Sequence, residues 1–569
     1  MSLRNFAAFA MATVVAGCSL LGNFATERCA VDAECDTRGL RGYVCIDNNC
    51  EAPAGASRPT ADSGDIDGDA TPVAECSTND ECTRRAGEVP TVCAHGTCVP
   101  AKIPGTCPIL LGEEYFRKPG TILLGAFVES LPETALGTYN VDLALAEINA
   151  AGGIPSQEGA RRFSVLVCSK ATPQLVQQGA THLIDELGLP AVFGQLETDE
   201  LKDVAPKAAR ADTLLVSTLG NDRSLRGTLG PDSPLWFAAS DILDVAPAFG
   251  PLLATVESYV KTIRSKSTIK VAMVASQSFE TRALAAALED PTSPILRFNG
   301  KTPSEQVATG NYRRTDDAVS KYRADKKPDY SKIVGQLTEL QPDVIVGVAG
   351  DELVEDIIPG VEAAWGANPN RPYYVAAPLS RFNVQLYDQT RPEPPKTLRK
   401  RFVGVDFSGS TLAFAAYDRR LATHRNNFLA NRPREGFNLL YDTTYLVALA
   451  TMAAGAEGPP SGKRLAAALA RLTDATAPMF HATTSKTAGA LEDDSFTGAI
   501  AALARGSAVR FSGTTGPFAM DRASHNRVMG ATIYCIDSLD MPRFHLYAAD
   551  YDAASQSLTG LVGGKPPCW

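Results

Sequence analysis

Short apolar runs alternate with segments of helical periodicity from Thr121 to about residue 220. The run TILLGAFV is followed by YNVDLALAEINAAGGI, in which Val141, Leu145 and Ile148 recur at helical spacing and Gly152-Gly153 provides a helix end. The runs FSVLVCSK, AVFGQL and LLVSTL come next, separated by helical segments. Continuous apolar strands that alternate with helices predict a parallel sheet covered by helices on both faces.

The same pattern begins again at IKVAMVASQ. A helix around residues 281–290 and a polar insertion at about 299–330 precede the strands DVIVGVAG and YYVAAPL. The long helix GFNLLYDTTYLVALATMAAG follows, and the segments VRFSGTTGPFAMD and GATIYCIDSL are typical of antiparallel strands around a turn. The chain is therefore predicted to be α/β, with two lobes in tandem.

The first residues have the features of an export signal. Arg4 precedes an apolar run of about eleven residues from Phe6 to Ala16, too short to span a bilayer as a helix. Val15-Ala16-Gly17-Cys18 has the form of a lipobox, which predicts a lipoprotein signal peptide at 1–17, lipid on Cys18 and a tether at 18–28. The alternative is an ordinary signal peptide with a chance cysteine. Ser19 favours the outer membrane of a double-membrane bacterium, so we expect a lipid-anchored protein of the cell envelope.

Ten of the thirteen cysteines lie within the first 107 residues. Two similar units occupy 29–50 and 76–107, separated by an acidic flexible linker at 51–75. Their cysteines are Cys29, Cys35, Cys45 and Cys50 in the first unit, and Cys76, Cys82, Cys93 and Cys98 in the second. Such short units have almost no core, so we expect two disulfides in each, with all three pairings open, and folding independent of the lobes. The spacings lack CxxC and His95 is the only nearby histidine, so we expect no metal and no cofactor.

Four further cysteines are predicted to pair as Cys107–Cys168 and Cys535–Cys568. The second disulfide would tie the C-terminal tail to a strand of the second lobe. Cys168 falls in an apolar strand, so a buried free thiol is the alternative there.

The region from about 119 to 550 resembles the type I periplasmic solute-binding proteins, above all the branched-chain amino-acid branch. The matching pieces occur in order: ILLGAFVES, ALAEINAAGGI, FGQLET, LLVSTLGND, LWFAASD, KVAMVASQSF, PDVIVGVAGDE, YDTTYLVALATMAAG and FSGTTGPFAMD. The resemblance implies two Rossmann-like lobes with parallel sheets, joined by a three-crossing hinge. Lobe 1 would hold 119–240 and 378–505, and lobe 2 would hold 241–377 and 506–569. The ligand would lie between the lobes, at the carboxyl ends of the strands.

The resemblance also implies a ligand-binding set that follows these strands: Thr198, Ser217, Thr218 and Asn221 from lobe 1, and Phe279, Asp351 and Ser380 from lobe 2. Ser217 and Asp351 could instead cap helices, and Phe279 could belong to the core. The family has Gly where Glu280 stands, and Glu197 and Asp199 make the first contact loop acidic. The acidic residues favour an amine-bearing, amino-acid-like ligand.

Four functions are compatible with these features to different degrees. The family resemblance favours capture of a small polar solute for ABC-type uptake with an inner-membrane permease. An outer-membrane receptor without a permease, or a surface protein that has lost ligand binding, is the alternative. No GxSxG, HExxH or P-loop motif occurs, which argues against an enzyme. The net charge of −10 and the lack of a basic cluster argue against nucleic acid as a partner.

The lipobox generates the first testable prediction. Cys18→Ser removes the thiol that accepts the lipid, so the protein should lose palmitate label and fail to be processed as a lipoprotein. Metabolic labelling of the wild type and the variant measures this, and the nearby Cys29→Ser variant, which should keep its label, is the control. Label that persists in Cys18→Ser would contradict the lipobox assignment.

Overall fold

The computed structural model of this 569-residue chain describes sixteen stretches. They are residues 44–46, 49–51, 75–129, 136–156, 159–230, 233–319, 328–366, 368–378, 398–407, 411–424, 438–455, 460–474, 476–485, 490–521, 524–536 and 545–561. The predicted signal peptide, Cys18, Cys29, Cys35, Ser380 and Cys568 lie outside them. Within the described stretches, no helix combines the length and the apolarity needed to cross a membrane. The chain divides into two compact units, Met1–Val73 and Ala74–Trp569.

The described part of the first unit is a hairpin of β1 (Val44–Ile46) and β2 (Asn49–Glu51). Its antiparallel register places Cys45 opposite Cys50.

The second cysteine repeat is a short helix beside a hairpin. Its elements are α1 (Asn79–Arg85), β3 (Thr91–Ala94) and β4 (Thr97–Pro100). Disulfides join the first cysteine to the third (Cys76–Cys93) and the second to the fourth (Cys82–Cys98). The sulfur atoms of Cys76, Cys82 and Cys93 lie within 4.8 Å of one another, but the disulfides leave no thiolate there to bind a metal ion.

The second repeat packs on the first lobe, so the prediction that both repeats fold independently is wrong for this one. Val92, Ala94 and Ala101 belong to one apolar cluster with Leu187 and Leu189 of the lobe. Polar contacts reinforce this packing: the His182 ring nitrogen Nε2 lies 2.9 Å from the carbonyl oxygen of Ala101, and Arg117 Nε lies 2.7 Å from a carboxylate oxygen of Asp80. Too small to enclose a core of its own, the repeat buries its few apolar residues against its neighbour.

The first lobe begins with alternating strands and helices. They are β5 (Ile109–Leu111), α2 (Glu113–Phe116), β6 (Ile122–Val128), α3 (Leu136–Ala150), β7 (Ile154–Ser156), β8 (Gly159–Arg161), β9 (Phe163–Ser169), α4 (Pro173–Ala180, extended by a π-helix Thr181–Glu186), β10 (Ala191–Gly194), α5 (Thr198–Arg210), β11 (Leu214–Ser217), α6 (Arg223–Leu229) and β12 (Leu235–Ser240).

The chain then builds most of the second lobe. Its elements are α7 (Phe249–Arg264, preceded by a 3-10 turn Ile242–Ala248), β13 (Val271–Ala275), α8 (Phe279–Glu289), α9 (Pro303–Val307), β14 (Tyr312–Arg314), α10 (Ser331–Leu340), β15 (Val344–Val348), α11 (Ile358–Trp365, preceded by a π-helix Leu353–Ile357), β16 (Tyr373–Ala376), a 3-10 turn (Leu398–Arg401) and β17 (Phe402–Phe407).

The last part returns to the first lobe and ends in the second. It contains α12 (Thr411–His424), α13 (Asn438–Ala453), α14 (Gly462–Leu469), β18 (Met479–His481), α15 (Phe496–Ala504), β19 (Arg510–Gly513), β20 (Gly516–Pro517) and β21 (Asn526–Arg527), then β22 (Ala531–Ile536), β23 (His545–Asp552) and β24 (Ser557–Thr559).

Each lobe is built on one sheet. The first has the order β21-β12-β11-β10-β6-β9-β5 and is parallel except for β5, which runs antiparallel to β9. The second has the order β14-β13-β15-β16-β17-β22-β23-β24 and becomes antiparallel from β17 onward. The chain passes between the sheets three times, after β12, after β17 and after β21. The predicted α/β class and paired parallel sheets are thus confirmed.

Two predicted lobe boundaries are wrong. The prediction assigned 378–505 to lobe 1, but β17 (Phe402–Phe407) pairs with β16 and β22 in the second sheet. It assigned 506–569 to lobe 2, but β19 to β21 pack with the first lobe. The buried carboxylate of Asp442 on α13 fixes the turn after β19 there, because it accepts hydrogen bonds from the backbone and hydroxyl groups of Thr514 and Thr515 at 2.6–2.9 Å. A run of apolar residues predicts a strand, but the sheet that it joins depends on such distant contacts.

Two cysteines of the first lobe confirm a predicted pair. Cys107 and Cys168 form a disulfide that joins the segment before β5 to β9, so Cys168 is not a free thiol. Cys535, on β22, is also disulfide-bonded, and its predicted partner Cys568 lies outside the described residues.

The packing of the second repeat predicts an unequal effect of two truncations. Removing Ala74–Ala101 exposes Leu187 and Leu189, so a chain that begins at Lys102 should lose about 2 kcal/mol or more of unfolding free energy relative to one that begins at Ala74. Chains that begin at Ser19 and at Ala74 should differ little, because residues 1–73 form a separate unit. Urea and thermal unfolding of all three forms measure this. Equal stability of the Ala74 and Lys102 forms would show that the repeat contributes nothing to the lobe.

Candidate functional site

Parallel pairing brings the carboxyl ends of β6, β9, β10 and β11 to one edge of the first sheet. Two loops meet there because glycine lets them approach closely. A Cβ on Gly194 would lie 2.2 Å from the carbonyl oxygen of Phe127, and one on Gly220 would lie 2.5 Å from the backbone nitrogen of Thr198. The loop after β11 therefore lies directly against the first residue of α5.

Two predicted contact residues present buried hydroxyls at this edge. Thr198, the first residue of α5, has no exposed surface, and Thr218, after β11, is 8% exposed. Neither Oγ1 atom has a hydrogen-bond partner among the described residues. A buried hydroxyl without a partner loses its hydration and gains nothing in return, so a ligand or a water molecule is needed to satisfy it.

The other two predicted contact residues of the first lobe hold the loops in place. Ser217 Oγ donates to the carbonyl oxygen of Leu196 at 3.0 Å and accepts from the backbone nitrogen of Leu219 at 3.3 Å. Asn221 donates from its side-chain amide to the carbonyl oxygen of Ser240, where the chain leaves β12. Its own carbonyl oxygen accepts a hydrogen bond from Asn526 at 3.0 Å. Asn221 thus connects the loop after β11 to two of the three crossings between the lobes.

The second lobe contributes a helix start that reaches the first lobe. Phe279 and Glu280 begin α8, directly after the capping residue Ser278. The Glu280 carboxylate accepts a hydrogen bond of 3.4 Å from the backbone nitrogen of Thr198. The ammonium group of Lys202, on α5, lies 5.2 Å from the ring centroid of Phe279. These two contacts bring the predicted residues Thr198 and Phe279 into one interlobe site.

Asp351 follows β15, a parallel strand of the second sheet. It is half-buried and interacts with other groups of the protein. The carboxyl group beside it, Glu352, is only 2% exposed and accepts a hydrogen bond from the backbone nitrogen of Gly350 at 3.0 Å. Burial raises the pKa of Glu352, and the charge of Asp351 adds to the increase. Ser380, the last predicted contact residue, lies outside the described residues.

Comparison with known proteins identifies the fold. No family model matches the sequence, and no curated protein matches it. Three solved structures each match 79% of this chain and 99–100% of their own chain. One is a putative branched-chain amino acid ABC transporter from Silicibacter pomeroyi, with 14% identity and a TM-score of 0.51. The others are ABC transporter solute-binding proteins, one from R. palustris in complex with benzoate (12% identity, TM-score 0.50) and one from Rhodopseudomonas palustris BisB5 in complex with 3,4-dihydroxybenzoic acid (14% identity, TM-score 0.50). The chain has the type I periplasmic binding fold.

Within this type I periplasmic binding fold, the structure reveals a cation that sequence reasoning missed. Lys170 follows β9 at the same sheet edge, and its side chain is only 6% exposed. Its Nζ atom lies 3.5 Å from a carboxylate oxygen of Glu197 and 3.8 Å from one of Glu200. The signal was available, since Lys170 follows an apolar strand just as Thr198 and Thr218 do.

A cavity of about 290 Å³ also opens on the first lobe, but none of the predicted contact residues lines it. Trp236, near the amino end of β12, stacks there on His525 with ring centroids 3.8 Å apart. Burial and the charge of Arg226 lower the pKa of His525 to about 4, so its ring is neutral at pH 7. The interlobe edge is the candidate site instead, because the two buried hydroxyls without a partner and the contacts between the lobes lie there.

The buried position of Lys170 generates a stability prediction. Lys170→Met leaves the carboxylates of Glu197 and Glu200 without their buried cation, which should cost about 1–3 kcal/mol of unfolding free energy. The control is Lys332→Met, because the Lys332–Asp316 pair is exposed, and its effect should stay within about 0.5 kcal/mol. Urea denaturation at low and high salt measures both. Equal losses in the two variants would contradict the role given to Lys170.

Proposed function

We propose that this protein is a lipid-anchored extracytoplasmic solute-binding protein that holds a small polar solute between its two lobes. The buried hydroxyls of Thr198 and Thr218 carry this proposal, because they lie at the carboxyl edge of a parallel sheet with no partner among the described residues. The second lobe reaches the same point through Phe279 and Glu280. Closure of two lobes around a solute would supply the missing partners and exclude water.

The fold supports a role in ABC-type uptake. The solved structures that share it include solute-binding components of ABC transporters, and two of them hold aromatic acids. In this role the protein would deliver its solute to an inner-membrane permease. The lipid on Cys18 would keep it at the membrane, since several acyl chains on one cysteine form a durable anchor.

The charges around the site favour a solute that bears an amine. Glu197, Glu200, Glu280 and Asp351 lie at or beside the strand ends that form the site, and Lys170 is the buried cation among them. An ammonium group on the solute would be attracted to this acidic surface and could donate hydrogen bonds to the carboxylates.

A second candidate is a receptor or interaction protein at the outer membrane, without a permease. Ser19 favours that membrane, and the second cysteine repeat gives this candidate a structural argument. The repeat is braced by two disulfides and packs on the first lobe through Val92, Ala94 and Ala101. Transfer of a solute to a permease does not require this additional surface, whereas contact with another envelope protein would use it.

The proposal predicts a ligand that stabilises the protein and depends on both lobes. A thermal-shift screen of the chain from Ser19 onward would test amines, amino acids, amides, small peptides and aromatic acids. A solute present at about 100 times its Kd should add about 2.7 kcal/mol of stability. Thr198→Val and Asp351→Asn should each weaken its binding by about 1–3 kcal/mol, measured by calorimetry, because each change strands a polar group of the solute.

Thr338→Val is the matched control for these variants, because this residue is exposed and its hydroxyl donates to the carbonyl oxygen of Val334 in its own helix. Its effect on affinity should be negligible. A ligand whose affinity is the same in Thr198→Val, Asp351→Asn and the control would show that solute binds elsewhere. Failure of the whole screen, together with capture of an envelope protein by the second repeat, would favour the second candidate.

A further inference from the structure

A carboxylate of the protein itself occupies the start of helix α5. Glu280 Oε1 accepts from the backbone nitrogen of Thr198, although the two residues are 82 positions apart and belong to different lobes. The contact joins the second residue of α8 to the first residue of α5. It is therefore a contact between the two lobes.

The start of α5 is a favourable place for a negative charge. The helix has thirteen residues, and the backbone nitrogens of its first turn are not used in its own ladder. A capping box satisfies part of this turn, since the Glu197 side chain accepts from the backbone of Glu200 and the Glu200 side chain accepts from the backbone of Glu197 at 2.7 Å. The nitrogen of Thr198 lies outside this capping box, and Glu280 accepts its hydrogen bond.

The hydroxyl of Thr198 provides an observation independent of the helix dipole. It is fully buried and has no partner among the described residues, even though Glu280 lies within hydrogen-bond distance of the same residue's nitrogen. The Glu280 carboxylate thus supplies the negative charge that the start of α5 favours. The Thr198 hydroxyl still has no hydrogen-bond partner among the described residues. A group that can donate or accept a single hydrogen bond would complete the site without a second negative charge.

The local charge balance opposes a second carboxylate. Glu197, Asp199, Glu200 and Glu280 provide four negative charges at this point, and Lys170 and Lys202 provide two positive ones. Lys202 already pairs with Asp199 at 2.9 Å. A solute carboxylate placed at the start of α5 would displace Glu280 or lie against it, and two carboxylates in contact repel each other.

We propose that Glu280 determines specificity by supplying, from the second lobe, the carboxylate that an acidic solute would otherwise place at the start of α5. The site therefore rejects solutes with a free carboxylate at this end and takes uncharged or amine-bearing solutes. The inference rests on the proposed function for the solute, but the contact itself does not. Replacing Glu280 should convert the site into one that accepts carboxylates.

The experiment compares the wild type with Glu280→Gly and Glu280→Gln in the chain from Ser19 onward. The probes are sodium acetate, sodium benzoate and L-leucine, with sodium chloride at the same ionic strength as the reference. In Glu280→Gly, the probes should raise the melting temperature and bind at least about tenfold more tightly than in the wild type, because the helix start is vacant. Glu280→Gln keeps an acceptor without the charge and should respond weakly.

Glu339→Gln is the control, because Glu339 is an exposed acid of the second lobe that pairs with Arg313. It should respond to the probes as the wild type does. Small-angle scattering adds a readout without ligand: Glu280→Gly should be more extended than the wild type, and acetate should restore its compactness. If Glu280→Gly fails to fold, Glu280→Gln provides the test. Its response to the carboxylate probes must then be larger than that of Glu339→Gln.

The outcomes separate this inference from the proposed function. If the carboxylate probes bind the wild type as tightly as they bind Glu280→Gly, and bind it through Thr198, the role of Glu280 is overturned. Solute binding between the lobes would be unaffected by that result. A carboxylate response in Glu280→Gly, with no solute of any class bound by the wild type, would support the role of Glu280 and count against solute binding. Equal responses in Glu280→Gly and Glu339→Gln would also overturn the inference.

Discussion

Parallel strand pairing is the constraint on which the rest of this molecule depends. Because β6, β9, β10 and β11 run in the same direction, the residues that follow them meet at one edge, although they are far apart in sequence. Lys170, Gln195 and Thr218 come together for this reason. The Gln195 side chain, for example, accepts a hydrogen bond from the backbone nitrogen of Glu129 at 3.0 Å, across 66 positions of sequence. The second sheet repeats the arrangement with Ser276 after β13 and Gly350 after β15.

The polar groups at this edge divide into those that hold the loops in place and those that have no partner among the described residues. Ser217 and Asn221 are engaged in loop and hinge hydrogen bonds, and a change at either would disturb the geometry of the site before it touched a ligand. Thr198 and Thr218 carry a hydroxyl as Ser217 does, but theirs have no partner among the described residues. Burial without a partner therefore separates Thr198 and Thr218 from Ser217, although all three residues lie at or after the end of a strand.

The sequence predicted most strands, because continuous apolar runs such as TILLGAFV and VAMVA become buried parallel strands. It did not predict which lobe β17 and β19 join, because that choice depends on the pairing of β17 with β22 and on the distant carboxylate of Asp442 beside β19. The packing of the second repeat was missed for the same reason: Val92 and Ala94 are too few to indicate a core. The predicted contact residues were placed at strand ends, but the hydrogen bonds that each of them makes depend on neighbours distant in sequence.

Two departures from the pattern of the family that the sequence resembles have a common physical explanation in the structure. Glu280 replaces the glycine of that pattern, and Glu197 makes the facing loop acidic, so both changes add negative charge at the start of α5. These carboxylates are stabilised by a capping box, one buried lysine and one hydrogen bond between the lobes. An acid that merely faced solvent would need none of these partners. The acids of the two lobes therefore form one charge arrangement, which is complete where the lobes meet and which, under the proposed function, would determine which solutes enter between them.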